Sequence, residues 1–467
     1  MLKTNRKPIK YTSSYRFSRK KRPFPRLWMI LLSIPLALIV LELLMRVVVG
    51  FSGKAPELDA YQGEPLNITA YRLKYLNSSG QPFEGLPNQG RLKVKYSPLM
   101  GYRLVGNQQS NVWGINAQGF RSDQAIAPSK SKDEVRIFIL GGSTAFGQLS
   151  SNNQTTFASK LETLLNQQVA TQKSNPKKFR PDVMPYFADE LAKAMALPSK
   201  IRESRYRVVN AAVPGYMSSN ELSQLALQIL TYQPNFVVVV DGYADLLVPS
   251  SQEGTDIPGN EQLLTHASGH FFSDVNQSLK RWVYQSYLIR GFQYWVLRPQ
   301  DAVHQLIPPA GSEKVLAQHL TADSKELSQR TTRYRNNLEQ IARLTSAAKI
   351  PLILALQPEI SGRNPKHLSP HEKKILDQLG STYTERVKTG YTQLQQSIEQ
   401  VKADFPKGVV TLNLNNAYSN FAGEAFQDAI HLTDEANTVL ADQLYETIAK
   451  QLLVQPKPNS AATAPGN

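Results

Sequence analysis

The chain is expected to fold as an α/β protein: a five-stranded parallel sheet with helices on both faces, three layers in all. Two observations predict this. Short apolar runs of strand length recur at 135–140, 208–212, 236–241, 351–356 and 409–413, and stretches of helical character separate them. The run Phe236-Val-Val-Val-Val-Asp241 has no polar alternation, as expected for a strand covered on both faces. Strands alternating with helices imply parallel pairing, because each return crossover needs a helix.

The elements follow in order. Val135-Arg-Ile-Phe-Ile-Leu140 is stopped by Gly141-Gly142. A helix is expected over 157–165. A second, over 218–232, opens on Ser218-Ser-Asn-Glu221, the spacing of a capping box. Further helices are expected over 334–349 and 391–403. The last helix carries Ala436, Leu440, Leu444, Ile448 and Leu452 four apart, a stripe that should face the sheet. Two insertions interrupt the alternation. Residues 167–205 are polar and basic, with Pro176 and Pro181 as breakers, and 247–329 hold an aromatic helix expected over 278–297. The main domain is expected at 131–454. Before it, 52–130 are rich in Gly, Pro, Asn and Ser and read as a stalk with a small β-rich lead-in, its extended pieces at 101–105 and 112–121. The tail, 455–467, reads as disordered.

The net charge of +16 is unevenly placed. Residues 1–26 hold ten Lys or Arg and no acid, which leaves +6 for all the rest. No basic stripe remains in the folded part, so nucleic acid is not an expected partner. Residues 27–51 are almost wholly apolar. As a helix they would reach roughly 37 Å, enough to cross a bilayer. With the basic tail 1–26 held in the cytoplasm, an uncleaved single-pass anchor at 27–51 would place the main domain outside, in the periplasm or at the cell surface. Glu42 and Arg46 stand four apart in this segment and are expected to neutralise each other.

The chain has no cysteine, which excludes a disulfide scaffold, a thiolate nucleophile and any Cys-based metal site. His266 and His270 are four apart, as are His367 and His371, but no His-Glu-x-x-His motif occurs. These four, with His304 and His319, read as solvated side chains. No metal or organic cofactor is expected.

In open parallel sheets, sites form at the carboxyl ends of the strands. Four segments fall there: Gly142-Ser143, Val213-Pro-Gly215, Gly242-Tyr-Ala-Asp245, and the Asp428-Ala-Ile-His431 loop. A serine hydroxyl is a weak nucleophile at neutral pH. It needs a base to take its proton and a carboxylate to orient that base. Ser143, His431 and Asp428 supply all three.

On these segments, over roughly residues 130–453, the chain resembles the SGNH/GDSL hydrolase family, and the lead-in Asn116-Ala-Gln-Gly-Phe-Arg121 looks like that of its extracytoplasmic members. The resemblance implies the SGNH/flavodoxin-like sheet. It implies Ser143 as nucleophile and Gly215 as a backbone oxyanion donor beside the Ser143 N–H, with Asp428 and His431 completing a triad. The third family block, Gly-x-Asn-Asp, reads Gly242-Tyr243-Ala244-Asp245 here, so Ala244 removes a side-chain donor. One such donor is worth about 10²–10³ in turnover, so this enzyme would be slow. The expected activity is a serine esterase or acyl hydrolase acting outside the cytoplasm on a small acyl ester, an O-acylated glycan or a lipid. An O-acyltransferase with the same triad, and a non-catalytic binding or assembly protein on the same fold, are the alternatives.

Overall fold

The computed structural model describes residues 26–52, 70–77, 79–82, 90–252 and 313–458; the side chains of 26–36, Ser52 and 313–315 fall outside that description. The chain divides into two compact units, Met1–Gly63 with Gln277–Arg298, and Glu64–Asn276 with Pro299–Asn467. The aromatic helix expected over 278–297, together with His266, His270 and His304, lies outside the described residues.

The first unit contains helix α1, Arg26–Ser52. Arg46 Nε and Glu42 Oε1 are 3.0 Å apart on it, the mutual neutralisation that their spacing suggests. Among the described residues no helix is long and apolar enough to cross a membrane.

The second unit begins with the β-rich lead-in. Strands β1 (Leu73–Leu76), β2 (Leu92–Ser97) and β3 (Gly101–Leu104) form one small sheet, and β4 (Gln108–Gln109) pairs with β5 (Gly114–Ile115). The main sheet comprises β6 (Glu134–Gly141), β7 (Arg205–Asn210), β8 (Phe236–Asp241), β9 (Leu352–Leu356) and β10 (Val409–Asn413). Its order is β10-β9-β8-β6-β7 and every pair is parallel. The chain leaves β6 for β7 on one side and returns to β8 on the other, so the topological switch point lies beside the end of β6. β8 and β9 are buried along their whole length, which accounts for their unbroken apolar sequences.

The connecting helices are α2 (Ser143–Phe146), α3 (Phe157–Ser174), α4 (Ala188–Ala196), α5 (Ser218–Leu227), α6 (Tyr243–Leu247), α7 (Glu313–His319), α8 (Ser324–Ala347), α9 (Pro370–Asp404) and α10 (Asp434–Gln451). Several run longer than their apolar periodicity suggests. α9 is 35 residues long with a break at Gly380, and it starts on a true capping box, Ser369 with Glu372. The capping box expected at 218–221 does not form. Met217 precedes α5, its N–H donates to Asn220 Oδ1, and Glu221 is fully buried instead. The apolar stripe of α10 is buried as expected, through Ala436, Leu440, Leu444, Ile448 and Leu452.

Candidate active site

The candidate residues come from three places at the carboxyl edge of the sheet and from the loop before α10. β6 ends at Gly141, and Ser143 opens the four-residue helix α2. As the first residue of a helix, its backbone N–H has no intrahelical acceptor and faces outward. Two buried groups hold the other end of this helix. Asn210, the last residue of β7, donates through Nδ2 to the carbonyls of Ala145 (3.1 Å) and Phe146 (3.2 Å). Arg121 of the lead-in donates to the carbonyls of Phe146 (3.1 Å) and Gly147 (2.6 Å). Its guanidinium also reaches Asn153 Oδ1 (2.9 Å), the Tyr71 hydroxyl (3.0 Å) and the Val112 carbonyl (3.0 Å), and packs over the Phe146 ring. Sequence reasoning noticed Arg121 only as part of a motif. Here it is a buried cation whose charge is spread over carbonyls around α2, where helix carbonyls carry partial negative charge.

Gly215 follows β7 in a left-handed conformation, φ +85°. A Cβ there would stand 2.4 Å from the Tyr102 hydroxyl, so glycine is required twice over. Tyr102 lies on β3, and its hydroxyl donates to the Pro214 carbonyl at 2.8 Å. The Tyr216 hydroxyl in turn donates to the Tyr102 carbonyl. The lead-in is thus bolted directly onto this loop.

Gly242 has φ +127°, and a Cβ would meet Leu356 Cδ1 at 2.8 Å. Tyr243, Ala244 and Asp245 then form α6. The Tyr243 hydroxyl meets that of Tyr383 at 3.0 Å, and Tyr383 donates to Glu359 Oε1 at 2.9 Å. Asp245 points away from the serine. Its carboxylate accepts from the Ser218 N–H (3.0 Å) and the Ser218 hydroxyl (2.6 Å). It lies in a fully buried trio with Glu221 and Asp241. Burial pushes all three carboxyls up, and the neighbouring acids push Glu221 and Asp241 further. Crowding and burial together disfavour the charged form of these acids. Among the described residues no group of His, Asp and Glu could hold a metal ion. His319 and His367 are exposed, and His371 pairs with Glu424 at 3.1 Å.

The fourth segment brings Asp428 and His431 together. Asp428 Oδ2 and His431 Nδ1 are 2.6 Å apart, and Asp428 Oδ1 accepts from the N–H groups of Ile430 (2.9 Å) and His431 (2.8 Å). Burial acts to raise the Asp428 carboxyl, but His431 and the backbone donors outweigh it and hold the group below the usual carboxylate range. A carboxylate on Nδ1 fixes that nitrogen as the N–H and leaves Nε2 as the basic atom. His431 Nε2 is buried and has no hydrogen-bond partner among the described residues.

The hydrogen bond expected between the Ser143 hydroxyl and His431 is therefore not made. Such contacts are commonly loose until substrate arrives. The two segments are nonetheless sewn together. Thr144 Oγ1 donates to the Ile430 carbonyl at 3.2 Å, and Gln357 Nε2 donates to Thr144 Oγ1 at 3.2 Å. The Ile360 N–H donates to the Ala429 carbonyl at 2.9 Å. Further back, the fully buried pair Arg363–Glu372 (3.1 Å) braces the approach to Asp428, with Glu372 accepting from the N–H groups of Ala425 (2.9 Å) and Phe426 (3.2 Å).

Exposure differs among these residues. Gly142, Gly242, Asp245, Asp428 and His431 are buried, whereas Ser143 and Ala244 are half-buried and Gly215 is exposed.

The fold and these contacts define an α/β protein with an oriented histidine–carboxylate pair, and a serine whose neighbour Thr144 bonds the loop of that pair, at the carboxyl edge of a 2-1-3-4-5 parallel sheet. In fold the chain is similar to GDSL-like lipases and acylhydrolases. No protein-family model matches it, and no curated protein matches it. Similar solved structures include a lipase/acylhydrolase from Enterococcus faecalis, 13% identical, covering 69% of this chain and 98% of that one at a TM-score of 0.32. A GDSL-like lipase from Bacteroides thetaiotaomicron is 12% identical, covering 70% and 93% at 0.30. An acetylxylan esterase from Geobacillus stearothermophilus is 11% identical, covering 67% and 94% at 0.33.

Proposed function

We propose that the chain is a serine ester hydrolase in which Ser143 is the nucleophile, His431 the general base and Asp428 the residue that orients it. The observation that carries this reading is the Asp428–His431 bond of 2.6 Å together with a buried, unpartnered His431 Nε2. A buried polar atom without a partner is costly, and a basic nitrogen kept that way is suited to receiving a proton.

The Ser143 oxygen attacks the ester carbonyl carbon while His431 Nε2 takes the hydroxyl proton. The tetrahedral oxyanion is held by the N–H groups of Ser143 and Gly215. His431 returns the proton to the leaving alcohol as the C–O bond breaks, and water then releases the acid by the same route. Ala244 supplies no side-chain donor, so turnover is slow for such a site.

The anchor belongs to the same proposal. Nine of the ten basic residues of 1–26 precede helix α1 and the tenth, Arg26, opens it; its described part carries exposed Leu38, Ile39, Leu43, Leu44, Val47 and Val48. A bilayer is the solvent that suits such a surface. We infer a membrane-anchored domain outside the cytoplasm, whose substrate is an O-acyl group on a glycan or lipid. Hydrolysis of a short p-nitrophenyl acyl ester by the full chain, abolished in Ser143→Ala, tests the chemistry. Equal rates for the two chains would refute it.

A further inference from the structure

The Gly215 N–H belongs to the peptide unit that begins at the Pro214 carbonyl. A peptide is planar and trans, so the two groups point in opposite directions. Whatever holds the carbonyl therefore aims the N–H. Residues 213–216 form a turn closed by the Tyr216 N–H on the Val213 carbonyl at 3.1 Å. Proline stands second in it and a positive-φ glycine third, the pattern of a type II turn. A Pro-Gly pair also fits a type I turn, whose central peptide is turned over. Turn sequence alone thus leaves the N–H two opposite directions. In the folded chain Pro214 is buried, Gly215 is exposed, and no acceptor among the described residues takes the Gly215 N–H.

Tyr102 of β3 removes that freedom, because its hydroxyl donates to the Pro214 carbonyl at 2.8 Å. The ring is buried and packs edge-on against Tyr75 and Tyr216, with centroids 5.3 and 5.4 Å away. The Tyr216 hydroxyl returns a bond to the Tyr102 carbonyl, and Asn220 Nδ2 donates to the Met100 carbonyl at 3.0 Å, which fixes the start of β3 on the turn. Burial, reinforced by Tyr75 and Tyr216, raises the Tyr102 hydroxyl well above its ordinary range, so it remains an O–H donor. The turn also lies against the start of α2. The Val213 N–H donates to the Gly141 carbonyl at 3.0 Å, and a Cβ on Gly142 would stand 3.1 Å from the Tyr216 carbonyl.

We propose that Tyr102 is a positioning residue of the oxyanion hole, its bond to the Pro214 carbonyl holding the Gly215 N–H toward the ester oxygen at Ser143. The proposal rests on the hydrolase reading. The same bond strengthens the donor as well as aiming it, since hydrogen bonds in a chain polarise one another. Aim matters more here than in a site with three donors. Ala244 offers no side-chain donor, so a Gly215 N–H turned away would leave the Ser143 N–H alone on the developing charge. The β-rich lead-in thereby contributes a side chain to the site and is more than a spacer before the main sheet.

Tyr102→Phe keeps the ring and removes the hydroxyl. In the full chain it should lower kcat on a short p-nitrophenyl ester about tenfold or more, up to the roughly 10²–10³-fold of a lost donor, with KM little changed. Rates are referred to sites titrated with a fluorophosphonate, so that misfolded chains do not count. Affinity for a trifluoromethyl ketone, whose adduct with serine carries an oxyanion, should fall by the same factor. Tyr216→Phe cuts the reciprocal tie without touching the Pro214 carbonyl, and should leave the ratio of ketone affinity to KM as in the parent. A loss confined to KM, or the same loss in Tyr216→Phe, would overturn the proposal and assign Tyr102 to holding the lead-in. A second measurement needs no turnover. Proline labelled with ¹³C at its carbonyl and glycine labelled with ¹⁵N together mark only the three Pro–Gly peptides of the chain, at 214–215, 258–259 and 465–466. One carbonyl–amide NMR signal should move in Tyr102→Phe, and three unmoved signals would overturn the proposal whatever the kinetics. A parent chain that turns over no ester, yet shows that shift, keeps the positioning of the Gly215 N–H and refutes the hydrolase reading alone.

Discussion

Thr144 Oγ1 donates to the carbonyl oxygen of Ile430 at 3.2 Å, joining the residue after the candidate nucleophile to the residue before the candidate base. The two lie 286 positions apart in the chain. Because Gln357 donates to the same hydroxyl, the contact is fixed in direction as well as distance. Thr144→Val keeps the shape and removes the bond. It should lower kcat about five- to tenfold with little change in KM, since a neutral hydrogen bond is worth about 1 kcal/mol and acts here on the placement of two reacting groups. Steady-state kinetics on a short acyl ester will show this. A change confined to KM would mean that Thr144 serves binding rather than alignment.

Arg121 is the second positioning group, and its loss should appear in stability first. Arg121→Ala strands the carbonyls of Phe146, Gly147 and Val112 in a buried setting. The expected cost is about 3–5 kcal/mol, read as a lower urea midpoint at unchanged slope. Arg121→Lys should recover little, because an ammonium cannot reproduce the planar fork. A lysine variant as stable as the parent would contradict the geometric account.

Glu359 gives a pH signature. Burial raises its carboxyl to about 7, against the bonds donated by Ser361 and Tyr383. The folded form therefore holds a proton that the unfolded chain releases near its ordinary value of about 4.3. Stability from this group is full at low pH and falls as pH rises from about 4.3 to about 7, by on the order of 3 kcal/mol. Glu221, Asp241 and Asp245 act in the same direction, so the comparison with Glu359→Gln isolates the one group. Denaturation midpoints across pH 4–8 should slope less in Glu359→Gln, and parallel slopes would exclude this role.

Ala244→Asn restores a side-chain donor at the half-buried position beside Gly242. If the site lacks an oxyanion donor, kcat should rise, by as much as about 10²–10³-fold, with substrate binding little affected. An unchanged rate would indicate that another group already does this work.

Much of this was legible in the sequence, for physical reasons. The strands β8 and β10 match their expected bounds at both ends, because unbroken apolar runs stopped by Gly242 or by Asn413 have few other ways to fold. The Asp428–His431 bond was legible because the two residues between them can hardly keep them apart. Helix lengths were read short, since α8 and α9 bury only part of one face and their remaining turns are polar. Glu221 was misread because Ser-x-x-Glu specifies a cap only when the glutamate stays near solvent, and here tertiary burial draws it toward Asp241. The clamps of Arg121, Thr144 and Arg363 were illegible. Each joins segments whose proximity is created only by the finished fold.

The central claim is that Ser143 is a nucleophile activated by His431, and reaction with a fluorophosphonate tests it most directly. The full chain should be labelled at Ser143, as peptide mass spectrometry will locate. Labelling should be lost in Ser143→Ala and fall to near background in His431→Ala, with both variants folded by circular dichroism. A folded parent chain that takes no label at Ser143, or one labelled equally well without His431, would contradict the account.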